Sequence, residues 1–164
     1  MLTTDSLAHY PILEKLSTQE VEQVLPICQE VHFDEGQTIY REGDAAETFF
    51  LLKSGTVLLE QRIHKTMVVT VGTLKPGAAF GLTAILDQTG YSLDAVSADA
   101  CELIMINGPA LMDLFEKNSS IGYKMIRATV TIIQNRLSQR TQQFVRSIAT
   151  HPDIYALKEE AVSS

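Results

Sequence analysis

The stretch "FDEGQTIYREGDAAETFFLLKSGTVLLE", Phe33 to Glu60, decides the fold. Its runs "QTIYRE" and "TFFLLKSGTVLLEQR" are rich in β-branched and aromatic residues, and "DEG", "EGDAAE" and "SG" punctuate them. Such runs read as strands, and such breaks as the turns between them. The pattern continues through "TMVVTVGTL", "DAVSA" and "CELIMI", with "KPG" and "TGY" in between, and stops at Ile106. Many short strands at this spacing imply a sandwich or barrel. Only "GLTAIL" breaks the strand pattern, and it has room for no more than a helical turn or two.

Outside this core the apolar period lengthens. Asp5 to Val31 reads as helical: Pro11 suits a first turn, and Ile12, Leu13 and Leu16 share one side. Ser17 with Glu20 three residues on has the spacing of a capping box, and Val21, Val24, Leu25 and Cys28 follow at helical intervals. Pro26 should bend or shorten that helix. On the other flank, Asn107 or Gly108 precedes Pro109 at a helix start, with Leu111, Leu114 and Phe115 on one face. From Ile121 to about Ile148 there is no proline. The apolar positions Ile126, Val130, Ile133 and Leu137 are spaced four, three and four, a coiled-coil seam. It continues through Thr141, Phe144 and Ile148 with an extra four-residue step resembling a stutter. A parallel homodimer is the favoured reading of that seam; packing back on the chain's own domain is the alternative. Pro152 should end the long helix, leaving a short helix from Asp153 to Ala161. The organisation expected is N-terminal helices over 1–31, strands over 32–106, C-terminal helices over 107–150 and a tail over 151–164.

The 164 residues are 45% hydrophobic and 20% charged, an ordinary globular composition. No apolar run approaches the roughly 20 residues of a membrane span, and "MLTTDSLAHYP" has neither the basic nor the apolar region of a secretory signal. A cytoplasmic protein is expected. Cys28 and Cys101 match no metal or redox spacing and read as buried free thiols. Residues 1–116 carry six Lys/Arg against seventeen Asp/Glu, a net −11, whereas residues 117–164 carry seven against three, a net +4. An acidic body argues against nucleic-acid binding. The residues after His151 are too few for a helix-turn-helix, so direct DNA reading is not expected.

The opening stretch, then "LKPGAAFG", "AVSADACELIMI" and the long "NRLSQRTQQF" helix together resemble the cyclic-nucleotide-binding domain family, the sensor domain of catabolite-activator-like regulators, cyclic-nucleotide-dependent kinases and gated channels. The signature glycines occur in order at Gly36, Gly43, Gly55, Gly77 and Gly81. The resemblance implies an α+β fold. Its centre would be an eight-stranded antiparallel β-roll, jelly-roll-like, flanked by N-terminal helices and a long C-terminal dimerisation helix. It also implies a pocket in which backbone N–H groups at the short helix after "FG" greet a cyclic phosphate. In the family a Glu directly after "FG" holds the ribose and an Arg about ten residues later pairs with the phosphate.

Carried across, Gly81 keeps its place and the amides of Leu82, Thr83 and Ala84 form the cradle. Leu82 stands at the Glu position, and Tyr91, give or take one residue, at the Arg position, while Ser92 keeps a hydroxyl. No Lys or Arg occurs between Lys75 and Lys117, and Asp87 and Asp94 are acidic neighbours. Arg140 and Thr141 lie where the family's long helix contacts the base. Arg136 or Arg140 is a candidate substitute cation, surface charge being the plainer reading. A hydrogen bond to a charged group contributes roughly 1.5–3 kcal/mol. Losing two such contacts weakens binding about 10²–10⁴-fold.

Three functions follow as expectations. The first is a non-catalytic regulatory module that has lost ordinary cyclic-nucleotide affinity and takes another small ligand, a small anion being one candidate. Relatives of the fold have made that exchange, including for haem. The second is a ligand-free dimeric scaffold in which Leu82 and Tyr91 fill the old pocket. The third and weakest is a cupin-like metalloenzyme, which needs clustered ligands, whereas His9, His32, His64 and His151 are isolated. No cofactor, metal or catalytic residue is assigned, and the module would act through another protein.

Overall fold

The computed structural model describes residues 2–86 and 90–150. Asp87, Pro152 and the short helix expected from Asp153 to Ala161 lie outside them. The chain divides into two compact units, Met1–Thr129 and Val130–Ser164.

The first unit begins with two short helices, α1 (Thr4–Ala8) and α2 (Thr18–Val24). Between them the chain runs in turns, so Pro11 does not open a helix as the sequence pattern implied. Ile12 and Leu13 are nevertheless fully buried, alongside Leu7, Val21 and Val24. The capping box forms as expected: the Glu20 N–H donates to Ser17 Oγ at 3.3 Å and the Ser17 N–H to Glu20 Oε2 at 2.7 Å. A 3₁₀ turn over Leu25–Ile27 then carries Pro26. The helical reading to Val31 fails from this point. Strand β1 (Cys28–Phe33) begins four residues before the expected boundary, because its edge pairs with the last strand, Cys28 opposite Ile106 through Phe33 opposite Cys101. Proline cannot continue a helical ladder, and Cys28 keeps a helical interval to Val24 and Leu25 while it opens a strand.

The remaining strands are β2 (Thr38–Tyr40), β3 (Thr48–Ser54), β4 (Val57–His64), β5 (Met67–Leu74), β6 (Ala79–Phe80), β7 (Asp94–Ser97) and β8 (Cys101–Asn107). They form two antiparallel sheets of four, ordered β1-β8-β3-β6 and β2-β7-β4-β5. This is the β-roll flanked by helices that the resemblance implied. Phe49, Leu51, Leu52, Leu103, Ile104 and Ile106 make its core, all buried. The five signature glycines all have positive φ. At Gly55 the reason is plain: at φ +89 an added Cβ would stand 2.5 Å from the Ala100 carbonyl oxygen and 2.7 Å from Cys101 Sγ. Cys101 is buried there, while Cys28 is half-buried, its S–H donating to the Val24 carbonyl at 3.3 Å. Burial pushes the Cys28 thiol up to about 12.

Asn107 caps α3 (Gly108–Lys117), its side-chain oxygen accepting the Ala110 N–H at 2.8 Å. Helix α4 (Ser119–Ala149) starts in the first unit, where Ile121, Met125 and Thr129 are buried. Gly122 lets it lie against Phe115, whose Cβ would be 3.0 Å from an added methyl. Glu20 reaches the same helix start, accepting from Ser120 Oγ and Lys124 Nζ, each at 2.7 Å. Helix α4 has no acidic residue in its own first turn. The carboxylate of Glu20 therefore serves two helix N-termini, its own and that of α4.

The second unit is described over residues 130–150, all helical except Thr150. Val130, Ile133, Leu137, Phe144, Val145 and Ile148 are exposed on it, and residues 130–150 carry Arg136, Arg140 and Arg146 with no acid.

Candidate functional site

Gly81 follows strand β6 and opens a 3₁₀ turn over Leu82–Ile85. Its φ is +69, and an added Cβ would lie 2.8 Å from the Thr48 carbonyl oxygen, 3.1 Å from the Phe50 ring and 3.4 Å from the Tyr91 ring. Only glycine tolerates both the left-handed backbone and that approach. The turn leaves the N–H groups of Leu82 and Thr83 without partners of its own, as any helix start does. The Ala84 N–H, by contrast, donates to the Gly81 carbonyl at 3.1 Å. Of the three amides assigned to the cradle, Ala84's is therefore already engaged. Leu82 and Thr83 are half-buried and Ala84 is buried.

Tyr91 is 6% exposed and lies beneath Gly81. Its ring stacks on Tyr40 with centroids 3.7 Å apart and planes 15° from parallel. Phe50 and Phe80 extend the cluster, stacked on each other at 5.1 Å. The Tyr91 hydroxyl donates to the Thr48 carbonyl at 2.8 Å and accepts the Thr48 N–H at 3.1 Å. Its main chain is zipped to the turn after β2: Gly43 N–H donates to the Tyr91 carbonyl at 2.9 Å and Tyr91 N–H to the Asp44 carbonyl at 3.0 Å. Burial holds the phenol above its ordinary range. The Tyr91 side chain is thus neutral and fully hydrogen-bonded, and it is packed in an aromatic stack. Ser92, its neighbour, is exposed.

Asp94 is buried, at 7% exposure. Its carboxylate accepts the Glu42 N–H at 2.7 Å and lies 3.5 Å from the half-exposed Arg62 guanidinium. The cation beside this segment comes from β4, which the pairing of Glu60 with Asp94 brings alongside β7. Sequence distance conceals it, since Arg62 precedes Asp94 by more than thirty residues. Tyr40, Thr48 and Arg62 were therefore missing from the residues assigned by sequence. The signal available for Tyr40 and Thr48 was only their place on strands flanking the glycine turns.

Arg140 and Thr141 belong to the second unit and are exposed, Thr141 donating its hydroxyl to the Leu137 carbonyl at 2.9 Å. Of the seam positions, Ile126 is half-buried in the first unit, and Val130, Ile133, Leu137, Thr141 and Phe144 are exposed in the second. Among the described residues no three His, Cys, Asp or Glu side chains stand together as a metal set, and no helix is long and apolar enough to cross a membrane.

The described residues thus form an eight-stranded β-roll with a glycine-opened 3₁₀ turn after β6 and helices on either flank. The profile of the cyclic nucleotide-binding domain matches residues 30–118, more than half the chain, and the chain belongs to that family. It is similar to Glutaminase 1 of Bradyrhizobium diazoefficiens, 39% identical over 88 residues that make up 52% of this chain and 13% of that one. It also resembles the cyclic AMP receptor protein of Thermus thermophilus, 29% identical over 96 residues, 58% of this chain and 44% of that one. The chain thus spans less than half the length of these relatives. The crystal structure of a cyclic nucleotide-binding domain from Methylobacillus flagellatus KT superposes with a TM-score of 0.77 at 17% identity, covering 90% of this chain and 88% of that one.

Proposed function

We propose that the chain is a non-catalytic, homodimeric regulatory module of the cyclic nucleotide-binding domain family, whose pocket no longer favours cAMP or cGMP. One observation carries this reading. Tyr91, at or next to the position where relatives place the phosphate-binding Arg, is stacked on Tyr40 and hydrogen-bonded at both polar valences of its hydroxyl to Thr48. Leu82 stands at the ribose-binding position and offers no acceptor. What survives for an anion is the pair of N–H groups at Leu82 and Thr83. Arg140 and Thr141 are the contribution proposed for the long helix. Melting curves against cAMP, cGMP and a panel of small metabolites test the reading. Flat curves for both cyclic nucleotides with a shift for another ligand are expected. A clear rise with either cyclic nucleotide at micromolar concentration would overturn it.

The second reading is a ligand-free scaffold. It draws support from the same Tyr91 packing, because the ring fills space that a ligand would otherwise take. Melting curves flat against the whole panel favour it.

Val130, Ile133, Leu137, Thr141 and Phe144, continuing from Ile126, are the proposed dimer seam, supported by the exposure of all four apolar side chains of the second unit's part. The dimer would work in the cytoplasm by reporting to a protein effector rather than by touching DNA or membrane. Glutaminase 1 carries the matched stretch within a much longer chain, an arrangement in keeping with a roll that regulates something else.

A further inference from the structure

The hairpin of β4 and β5 differs from the rest of the body in exposure and in charge. Met67, Val68, Val69 and Thr70 are four consecutive residues of β5, and all are exposed. Successive strand residues point to opposite faces, so both faces of this ribbon lie open. Ile63 across the turn is 64% exposed and Met67 54%. Strand β5 also ends its sheet, next to β4 alone. Opposite Glu60–Arg62 its register is regular over Val68–Thr70, with irregularities on either side. An outer row of main-chain N–H and C=O groups therefore accompanies the apolar side chains, with no neighbouring strand among the described residues.

Charge narrows the occupant. Residues 61–86 hold Arg62, Lys65 and Lys75 and not one Asp or Glu. Residues 1–60 and 87–116 hold all seventeen acids of the body against three cations. Of the three cations in residues 61–86, Arg62 faces Asp94 and the exposed Lys75 donates one of its three N–H groups to Thr56 Oγ1 at 3.1 Å. Lys65, at the hairpin turn, is exposed. A second copy of this chain pairing antiparallel along β5 would set the Lys65 end of one strand beside the Lys75 end of the other, like charges at both ends. An edge so flanked resists itself.

We propose that the β5 edge is a docking site for an extended segment of another protein, added as a fifth strand to the β2-β7-β4-β5 sheet. The segment is β-branched in its middle and acidic at its ends. Main-chain hydrogen bonds would hold it, Met67, Val68 and Val69 would receive alternate side chains, and the lysines at either end would select its acids. This rests on the reading that the module acts through a protein effector. It is independent of the pocket, so a peptide titration and the nucleotide melting curves fail separately.

The test uses the whole chain and a fluorescent peptide of alternating valine and threonine with two glutamates at each end. Saturable binding is expected, with at least roughly fivefold weaker binding when lysines replace the glutamates, as a few exposed charge pairs permit. Methylating alternate peptide nitrogens should abolish binding, because the added strand then cannot donate to β5. The double variant Lys65→Glu/Lys75→Glu should reverse the preference to the lysine peptide. Equal binding of both peptides, retained binding of the methylated one, or an unchanged preference in the variant overturns the proposal. So does an absence of binding by the glutamate peptide. Co-sedimentation with phosphatidylserine vesicles that the peptide does not compete away would assign the hairpin to a lipid surface instead and likewise overturn it.

Discussion

The surroundings of Gly81 and the helix over residues 130–150 are opposite cases within one chain. Around Gly81 the aromatic side chains are packed and paired: Tyr40 stacks on Tyr91 and Phe50 on Phe80, and the Tyr91 hydroxyl both donates and accepts. Among the described residues no buried side-chain nitrogen or oxygen lacks a hydrogen-bond partner. Along residues 130–150 the position is reversed, with Leu137 63% and Phe144 66% exposed. The first region is finished by its own chain. The second exposes apolar side chains that the proposed dimer seam would cover.

Substitutions in the finished region should act on stability. Phe49→Ala removes a fully buried ring from the roll and should cost about 3–5 kcal/mol, read as a lowered denaturant midpoint. An unchanged midpoint would mean the core does not sit where the roll places it. Gly81→Ala comes next, at about 2–4 kcal/mol. The left-handed backbone costs ~1–2 kcal/mol for a residue with a Cβ, and the methyl meets the Thr48 carbonyl oxygen at 2.8 Å.

Glu20 gives a smaller effect that depends on pH. Lys124, Ser120 and Ser17 hold its carboxyl down to about 2, below the ordinary glutamate value of 4.5. Because the folded-state value is depressed, the stabilisation is full above about pH 4.5 and is lost as pH falls through about 2. The expected size is about 1–3 kcal/mol. Glu20→Gln should lower stability at neutral pH and flatten the acid limb of a stability–pH curve; parallel acid limbs in the two proteins would contradict the assignment. The least effect on unfolding belongs to the unfinished region. Leu137→Ser should leave the midpoint within about 0.5 kcal/mol of the parent when both are monomeric. In sedimentation equilibrium it should shift the molecular mass from dimer toward monomer.

The same contrast explains what the sequence made legible. Turns were readable because a signature glycine reports a local backbone demand, and all five of those glycines have positive φ. The capping box at Ser17 and Glu20 was readable because its partners are three residues apart. Strand β1 was misread, since Val24, Leu25 and Cys28 satisfy a helical spacing and only distant β8 decides between helix and strand. The further roles of Glu20 depend on Ser120 and Lys124, about a hundred residues away, and the environment of Tyr91 depends on Thr48, forty-three residues before it. The absence of Lys and Arg between Lys75 and Lys117 was legible, but not the aromatic stack in which Tyr91 sits.

Calorimetric titration of cAMP and cGMP into the parent chain and into the double variant Leu82→Glu/Tyr91→Arg tests the central claim most directly. The parent is predicted to bind both with Kd of roughly 0.1 mM or weaker, a micromolar site less two charge-assisted contacts. The variant, if it folds, should bind at least one of them more tightly. Micromolar binding by the parent, with Tyr91 and Leu82 in place, would contradict the account.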